Sequence, residues 1–575
     1  MTLPILFLAP SCVQAPAGEG VDLLLVDGTV WTGVQGAPYA EAVAARGGRI
    51  VYVGSSAGAR RLVGPSTRVL ELDGRFVAPG FIDNHTHFNR AGELLLGVNL
   101  LDVADEEGLV RRVGEAAERL PDGAWMVGGM WGAYEQWGQS STGRGGDGPT
   151  GPPFRPERSG IDAVSDANPA LLWNWDRSQH LANGAALAAA GATCAWAGVE
   201  CGDGVPTGRV SADAAARIQA AMPPKTLEQR LAEARVALQQ LRELGVTTFF
   251  DITPPEQLPV YEALREGGEL TARVNVRPVL DSWDELAAVG IGHGFGDDWI
   301  RFGGLKGFVD GIMGNSSAHF YEPYLTTGVR GSWRDAGNTG HVTGQGSGLE
   351  PAGNMERLLF GADSIGLSPR VHAIGDQAVD TLIDLMEKVI REHGPRPDRR
   401  FAIIHTQVLS GAEAAERMAR LGIIAEVQPY HTIDDMRWME ERIGARSRWA
   451  YAFRTLHDAG VVLSFGSDWP GTNAAWYTAD PLQGMYAAVT RQTLDGQPAE
   501  GWFPEERIDV ETALRAYTVN NAFAAGEEDR KGTLEVGKLA DLVVLEADPL
   551  TAEPATLKDI RVDYTIVDGR VVHQR

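Results

Sequence analysis

The middle of this chain repeats one pattern: a short, almost wholly apolar run, then a stretch with helical spacing. The apolar runs fall at 77–82, 247–250, 273–279, 300–309, 370–373, 401–405, 423–427 and 461–465. Helical periodicity is clearest over 227–244, 377–392 and 411–420. Short strands that are apolar on both faces belong to parallel sheets covered by helices, since only such sheets are buried on both sides. Parallel neighbours also need a crossover, and the helical stretches supply it. The expectation is an α/β fold whose units close into a (β/α)8 barrel of the TIM type.

The two ends read differently. Runs at 21–26, 49–54 and 68–72, and again at 541–545 and 564–572, alternate apolar and polar residues between Gly and Asp-Gly turns, the signature of half-buried strands. Residues 21–77 and 526–575 are therefore expected to pair into one small β-sandwich domain, leaving 78–525 for the barrel. Two stretches break the barrel rhythm. Residues 121–225 are rich in Gly and Pro and read as an insertion after the first strand. The Gly-rich segment 331–354 is expected above the barrel mouth, as a lid or as a passive loop.

Composition narrows the partners. Lys+Arg 51 against Asp+Glu 76 gives a net charge of −25, which repels phosphate backbones and anionic membranes. No run is long enough to span a bilayer, so the expected partner is a small molecule, and a homo-oligomer is compatible with the composition. Residues 1–20 are apolar and then Gln/Ala/Pro/Gly-rich. They read as an export signal with a lipid anchor at Cys12, or as a flexible terminus: Pro10 is unusual at such a cleavage point and a basic start is missing. Cys194 and Cys201 are close enough in sequence to close a small disulfide ring. A bridge would favour a periplasmic or exported protein; two free thiols would favour the cytoplasm.

Ligand-type side chains recur at strand ends. Pro79-Gly80-Phe81-Ile82-Asp83-Asn84-His85-Thr86-His87 puts two imidazoles at i and i+2; on a strand both point to one face and can share an ion. One His-x-His is a weak signal. His372 and His405 each close a further apolar run, and Asp468 follows another. Lys306 interrupts the run 300–309. A protonated lysine cannot ligate a cation. It serves only as a neutral amine or as the carbamate formed with carbon dioxide; the alternative is a buried salt bridge to Asp310 or another carboxylate.

These motifs together resemble the amidohydrolase superfamily. The His85/His87 segment looks like its metal-binding signature, and the tail from Gly532 to Leu545 looks like its closing segment. Asp297-Asp298-Trp299-Ile300, Lys306 with Asp310-Gly311, Val371-His372-Ala373-Ile374-Gly375-Asp376, His405-Thr406-Gln407-Val408-Leu409, Gln428-Pro429-Tyr430-His431 and Gly466-Ser467-Asp468-Trp469-Pro470 narrow the likeness to the YtcJ-like branch, amidohydrolase family 3. The resemblance implies a distorted barrel with a composite β-sandwich. It implies that His85, His87, His372, His405 and Asp468 surround one or two divalent ions, zinc first, with a carboxylated Lys306 as the bridge. This chain departs from the branch at Asn315-Ser316-Ser317-Ala318-His319, at Thr406, and around His180, so no role is carried over to His180.

The implied chemistry is hydrolysis of a non-peptide amide, such as an N-acyl or N-formyl amine, by metal-activated water. Asp468 is placed to shuttle the proton, and His431 to hydrogen-bond the substrate, unless it is only a surface-loop histidine. Trp131, Asp310 and Trp469 are assigned to substrate binding, with Trp173 and Trp175 as further aromatic candidates. A mononuclear deaminase on the same barrel is the first rival. It would want a Glu behind a strand-end His, where this chain has Asp376. A binding protein that lost turnover is the second, and it is disfavoured because each expected ligand position is filled.

Overall fold

The computed structural model describes residues 20–100, 103, 105–131, 154–174, 178–336, 347–471 and 478–575. Cys12 and the leader reading, Trp175 and the centre of the Gly-rich loop lie outside the described residues.

The apolar runs form parallel strands in two sheets. The first contains β1 (Phe81–Thr86), β2 (Val246–Ile252), β3 (Arg273–Arg277) and β4 (Ile300–Phe302), in the order β4-β3-β2-β1. The second contains β5 (Leu305–Phe308), β6 (Pro369–Ala373), β7 (Ala402–His405), β8 (Ile424–Val427) and β9 (Leu463–Phe465), in sequence order. The sheets touch through single bridges, Thr86 with Trp469 on one side and Val279 with Lys306 on the other. The α/β class is therefore as expected, but one continuous closed cylinder is not what these ladders form.

Two expected strands divide. The run 300–309 splits at Gly303-Gly304 because the backbone there lies directly on neighbouring side chains. A Cβ at Gly303 would collide with Asn275, and one at Gly304 would come within 2.8 Å of Arg370. The run 77–82 also divides: Phe76–Pro79 joins a terminal sheet, and β1 begins at Phe81. His85 consequently lies within a strand.

Helices cover these sheets with stripes of the expected period. In Leu227–Glu243, Ala234, Ala237, Leu238 and Leu241 are buried. The helix starts at a capping box, in which Thr226 Oγ1 accepts from Gln229 N at 3.2 Å and Gln229 Oε1 from Thr226 N at 2.8 Å; this satisfies two otherwise orphaned donors. Asp376–His393 buries Val379, Leu382, Ile383, Met386 and Val389. Among the described residues no helix is long and apolar enough to cross a membrane.

A six-stranded sheet combines Thr29–Trp31, Tyr39–Ala40 and Phe76–Pro79 with Leu542–Leu545, Val562–Val567 and Arg570–Gln574. A four-stranded sheet from the N-terminal part shares its core, with Leu23, Val43 and Ile50 packed alongside Leu542, Val544 and Ile566. The buried Arg273–Asp541 ion pair, 2.6 Å at Nε, ties this unit to β3. Between β1 and β2, strands Met126–Trp131, Ala170–Asn174, His180–Ala182, Val199–Gly202 and Val205–Val210 form a separate sheet. Beside it Cys194 and Cys201 form a disulfide, with Cα atoms 6.0 Å apart.

Candidate metal centre

Strand alternation puts Asp83 and His85 on one face of β1, and His87 follows one position beyond its end. The C-terminal ends of β1 and β9 are stitched together at this level. Asp83 Oδ1 accepts from His85 N and from Ser467 N, both at 3.0 Å, and Oδ2 from Ser467 Oγ at 2.5 Å. Asp468 N donates to His85 O and His87 N to Trp469 O, both at 2.8 Å. Asp468 itself has φ of 58°, and His405 has 73°. Backbone held in this left-handed region by its surroundings is characteristic of functional positions.

The stitching brings ligand atoms together. Asp468 Oδ1 lies 3.3 Å from His85 Nε2 and 3.0 Å from His87 Nε2. His85, His405 and Asp468, all buried, offer one ligand atom each within 4.8 Å of one another. His372 and His405 have ring centroids 4.5 Å apart. Gln428 Oε1 accepts from His405 Nδ1 at 2.7 Å, which leaves the Nε2 lone pair for a ligand role. His372 Nε2 is 2.9 Å from Gly311 O and 3.4 Å from Asp310 Oδ1, which leaves its Nδ1.

Burial sets the charges. It pushes the His85 imidazole down to about 3 and that of His405 well below its ordinary value. Asp468 is raised by burial, but the His85 and His87 rings beside it hold it well below the usual carboxylate range. His85 and His405 are thus neutral imidazoles beside an anion. Oδ1 of Asp468 is buried and meets neither imidazole in hydrogen-bond geometry. Two nitrogens and a carboxylate oxygen crowded together without a shared proton are a donor set that a divalent cation satisfies. The residues fit a metal.

Lys306 is 1% exposed on β5, with Nζ 4.6 Å from the centre of the Phe308 ring. Burial lowers its ammonium to about 7. Among the described residues no carboxylate lies within ion-pair distance of it. Asp310, the salt-bridge partner considered above, is spent elsewhere: it accepts from His319 N at 2.8 Å, Ile374 N at 3.1 Å and Gly375 N at 2.9 Å.

The remaining candidates are scattered in role. His431 starts the buried helix His431–Asp435, so it is not a surface-loop residue; its Nε2 is 4.0 Å from Asp468 Oδ2, and burial lowers it to about 4. Trp469 is fully buried in the main core. Trp131 ends a strand of the insertion sheet, beside a cavity of about 230 Å³ also lined by Arg155, His180 and Arg209. Asp376 opens its helix and accepts from Tyr321 N at 2.9 Å and from Gln377 N at 2.7 Å.

Sequence reasoning passed over three supports. Asp83 had a signal, since it shares the face of His85 two residues on. Gln428 had none. The third is a fully buried triad: Arg277 donates to Glu426 from Nη1 and Nη2 at 2.8 Å each, and Arg370 Nη1 at 2.7 Å. Arg277 also donates to Asn84 O at 2.8 Å, next to His85. A charge inside an apolar run was the signal that singled out Lys306, and Arg277, Arg370 and Glu426 carry the same one.

The protein is an α/β protein with a candidate metal centre at the C-terminal ends of parallel strands. A model described as the amidohydrolase family matches residues 68–573, and the chain belongs to that family. It is 31% identical over 557 residues to the protein LONG AFTER FAR-RED 3 of Arabidopsis thaliana, covering 93% of this chain and 88% of that one. It is 25% identical over 578 residues to an N-substituted formamide deformylase of Arthrobacter pascens, covering 96% and 98%. Among solved structures, an uncharacterized metal-dependent hydrolase from Pyrococcus furiosus superposes with a TM-score of 0.69 at 25% identity, covering 92% of this chain and 100% of that one. The protein is a metal-dependent hydrolase.

Proposed function

We propose that the protein hydrolyses a carbon–nitrogen bond other than a peptide bond in a small-molecule amide, of the N-acyl or N-formyl amine class. The convergence of neutral His85 and His405 on ionised Asp468 carries this reading. The name of the Arthrobacter pascens relative, a deformylase of N-substituted formamides, supports the bond type. His85, His87, His372, His405 and Asp468 would hold one or two divalent ions, with zinc the best match to a mixed imidazole and carboxylate set. When bound, such an ion supplies a Lewis acid that activates water and polarises a carbonyl.

The protein's own groups do the rest. Asp468 Oδ1 faces two imidazoles, which leaves Oδ2 to take the proton of the attacking water and deliver it to the departing amine nitrogen. His431, on the Oδ2 side, donates to the substrate carbonyl oxygen as charge develops there. Lys306 is a carbamate in this reading. Its lowered affinity for protons leaves much of it as free amine near neutral pH, and only the free amine nitrogen attacks the carbon of carbon dioxide, losing one proton to give the anionic ligand.

The same reading takes the two parallel sheets as staves of one distorted barrel, the terminal sheets as one composite domain, and the disulfide as support for an oxidising compartment. The deciding experiment is elemental analysis of active protein, followed by a screen of N-formyl and N-acyl amines. Stoichiometric metal, amide turnover and loss of turnover in Asp468→Asn are expected. Active protein without metal refutes the reading.

A further inference from the structure

Beyond β5 the chain folds back on itself. Trp333 bridges Asp310, and Arg334 N donates to Val309 O at 2.9 Å. Arg334 therefore sits at the mouth occupied by His372, which pairs in register with Phe308 of β5. Its side chain is pinned at one point, with Nε donating to Asp310 O at 3.2 Å. The two Nη groups remain. Among the described residues no carboxylate lies within ion-pair distance of them. The acid that acts on Arg334 is Asp310, and that carboxylate is committed to three backbone N–H groups.

Other guanidiniums near the site are compensated. Arg277 and Arg370 share Glu426. Arg442 donates to the carbonyls of Met313 and Gly314, and Arg446 to those of Glu322 and Pro323. Arg334 is partly buried, and among the described residues no carboxylate pairs with its Nη groups, which leaves them open to one carried by a ligand. Its field reaches inward, since its charge bears on Lys306. On the preceding residue the Trp333 ring stacks on that of His319 at 3.8 Å and 9°. A planar fork of donors matches a carboxylate.

We propose that Arg334 binds a carboxylate of the substrate, so that the preferred amides carry an anionic group away from the scissile bond. The proposal rests on the hydrolytic reading for turnover, but not for binding. The probes are N-formylbenzylamine and its carboxylated counterpart 4-(formamidomethyl)benzoate, presented to the metal-loaded protein. Wild type is expected to favour the carboxylated probe in kcat/KM by about tenfold or more, mainly through KM. Arg334→Gln collapses that ratio towards one, and Arg334→Lys, which keeps the charge and loses the fork, falls between. A ratio unchanged in Arg334→Gln, or a wild type that favours the neutral probe, overturns the proposal.

Calorimetric binding separates the two readings. If neither probe is hydrolysed, the hydrolytic reading fails. Tighter binding of 4-(formamidomethyl)benzoate to wild type than to Arg334→Gln still upholds the anion site, and equal Kd values refute it.

Discussion

Glu426→Gln tests whether the metal centre stands on a compensated buried charge. Glu426, Arg277 and Arg370 have side chains with 0% exposure. Burial raises the Glu426 carboxyl, but Arg277 and then Arg370 overcome it and hold it below its ordinary value. Glutamine keeps one acceptor oxygen and removes the negative charge, leaving two guanidiniums buried and facing each other. Breaking a buried pair on one side costs about 3–5 kcal/mol, because the surviving charge has no partner. Unfolding entropy is about 2 cal/mol/K per residue, so a transition of all 575 residues carries roughly 1.2 kcal/mol/K. The midpoint should then fall by ~3–4 °C. Scanning calorimetry of metal-free protein measures it without the contribution of the ion. Metal content should fall as well, because Arg277 also holds Asn84 O beside His85. Pairing the change with Arg370→Met should recover part of the loss, since one cation then leaves with the anion. A midpoint change below ~1 °C in metal-free protein would refute the reasoning.

Lys306→Ala should lose metal and turnover together, by more than about a hundredfold in kcat/KM, and Lys306→Arg should not rescue because guanidinium stays cationic; retention of full metal in Lys306→Ala would end the bridging role. Asp435 is pushed up to about 8 by burial, while Tyr451 Oη and Gln407 Nε2 donate to it at 2.5 and 2.6 Å. Its folded-state pKa is raised, so between about pH 4 and 8 the folded state keeps a proton that the unfolded state has lost, and stability falls as pH rises through that window. Asp435→Asn should flatten that slope in denaturant titrations. Thiol labelling of unreduced protein should find Cys194 and Cys201 blocked, and labelling only after reduction is the expected result; two reactive thiols would exclude the bridge.

Much of the site was legible because its chemistry is local. His85 and His87 share a face through strand alternation alone, and His372, His405 and Asp468 each terminate an apolar run that could only be a buried strand. Helices Leu227–Glu243 and Asp376–His393 were equally readable, since an amphipathic period of 3.6 is written within one segment. What failed was assignment across segments. The run 300–309 reads as one strand because its apolar pattern is continuous. It breaks because Gly303-Gly304 must admit Asn275 and Arg370 from other strands.

The sequence by itself determined the α/β class, the strand and helix alternation and the identity of the ligand-type residues, all of which follow from patterns a few residues long. Only the tertiary structure decided which nitrogen of His372 and of His405 stays free, that Asp83 clasps Ser467 to bring β1 and β9 together, and that Lys306 has no acid within ion-pair distance among the described residues while Arg277 and Arg370 share one. Those outcomes depend on hydrogen bonds and charges between residues hundreds of positions apart, as in the Asp83–Ser467 contact with its separation of 384. In a buried, low-dielectric interior such partners set protonation and orientation, and no local pattern encodes which partner arrives.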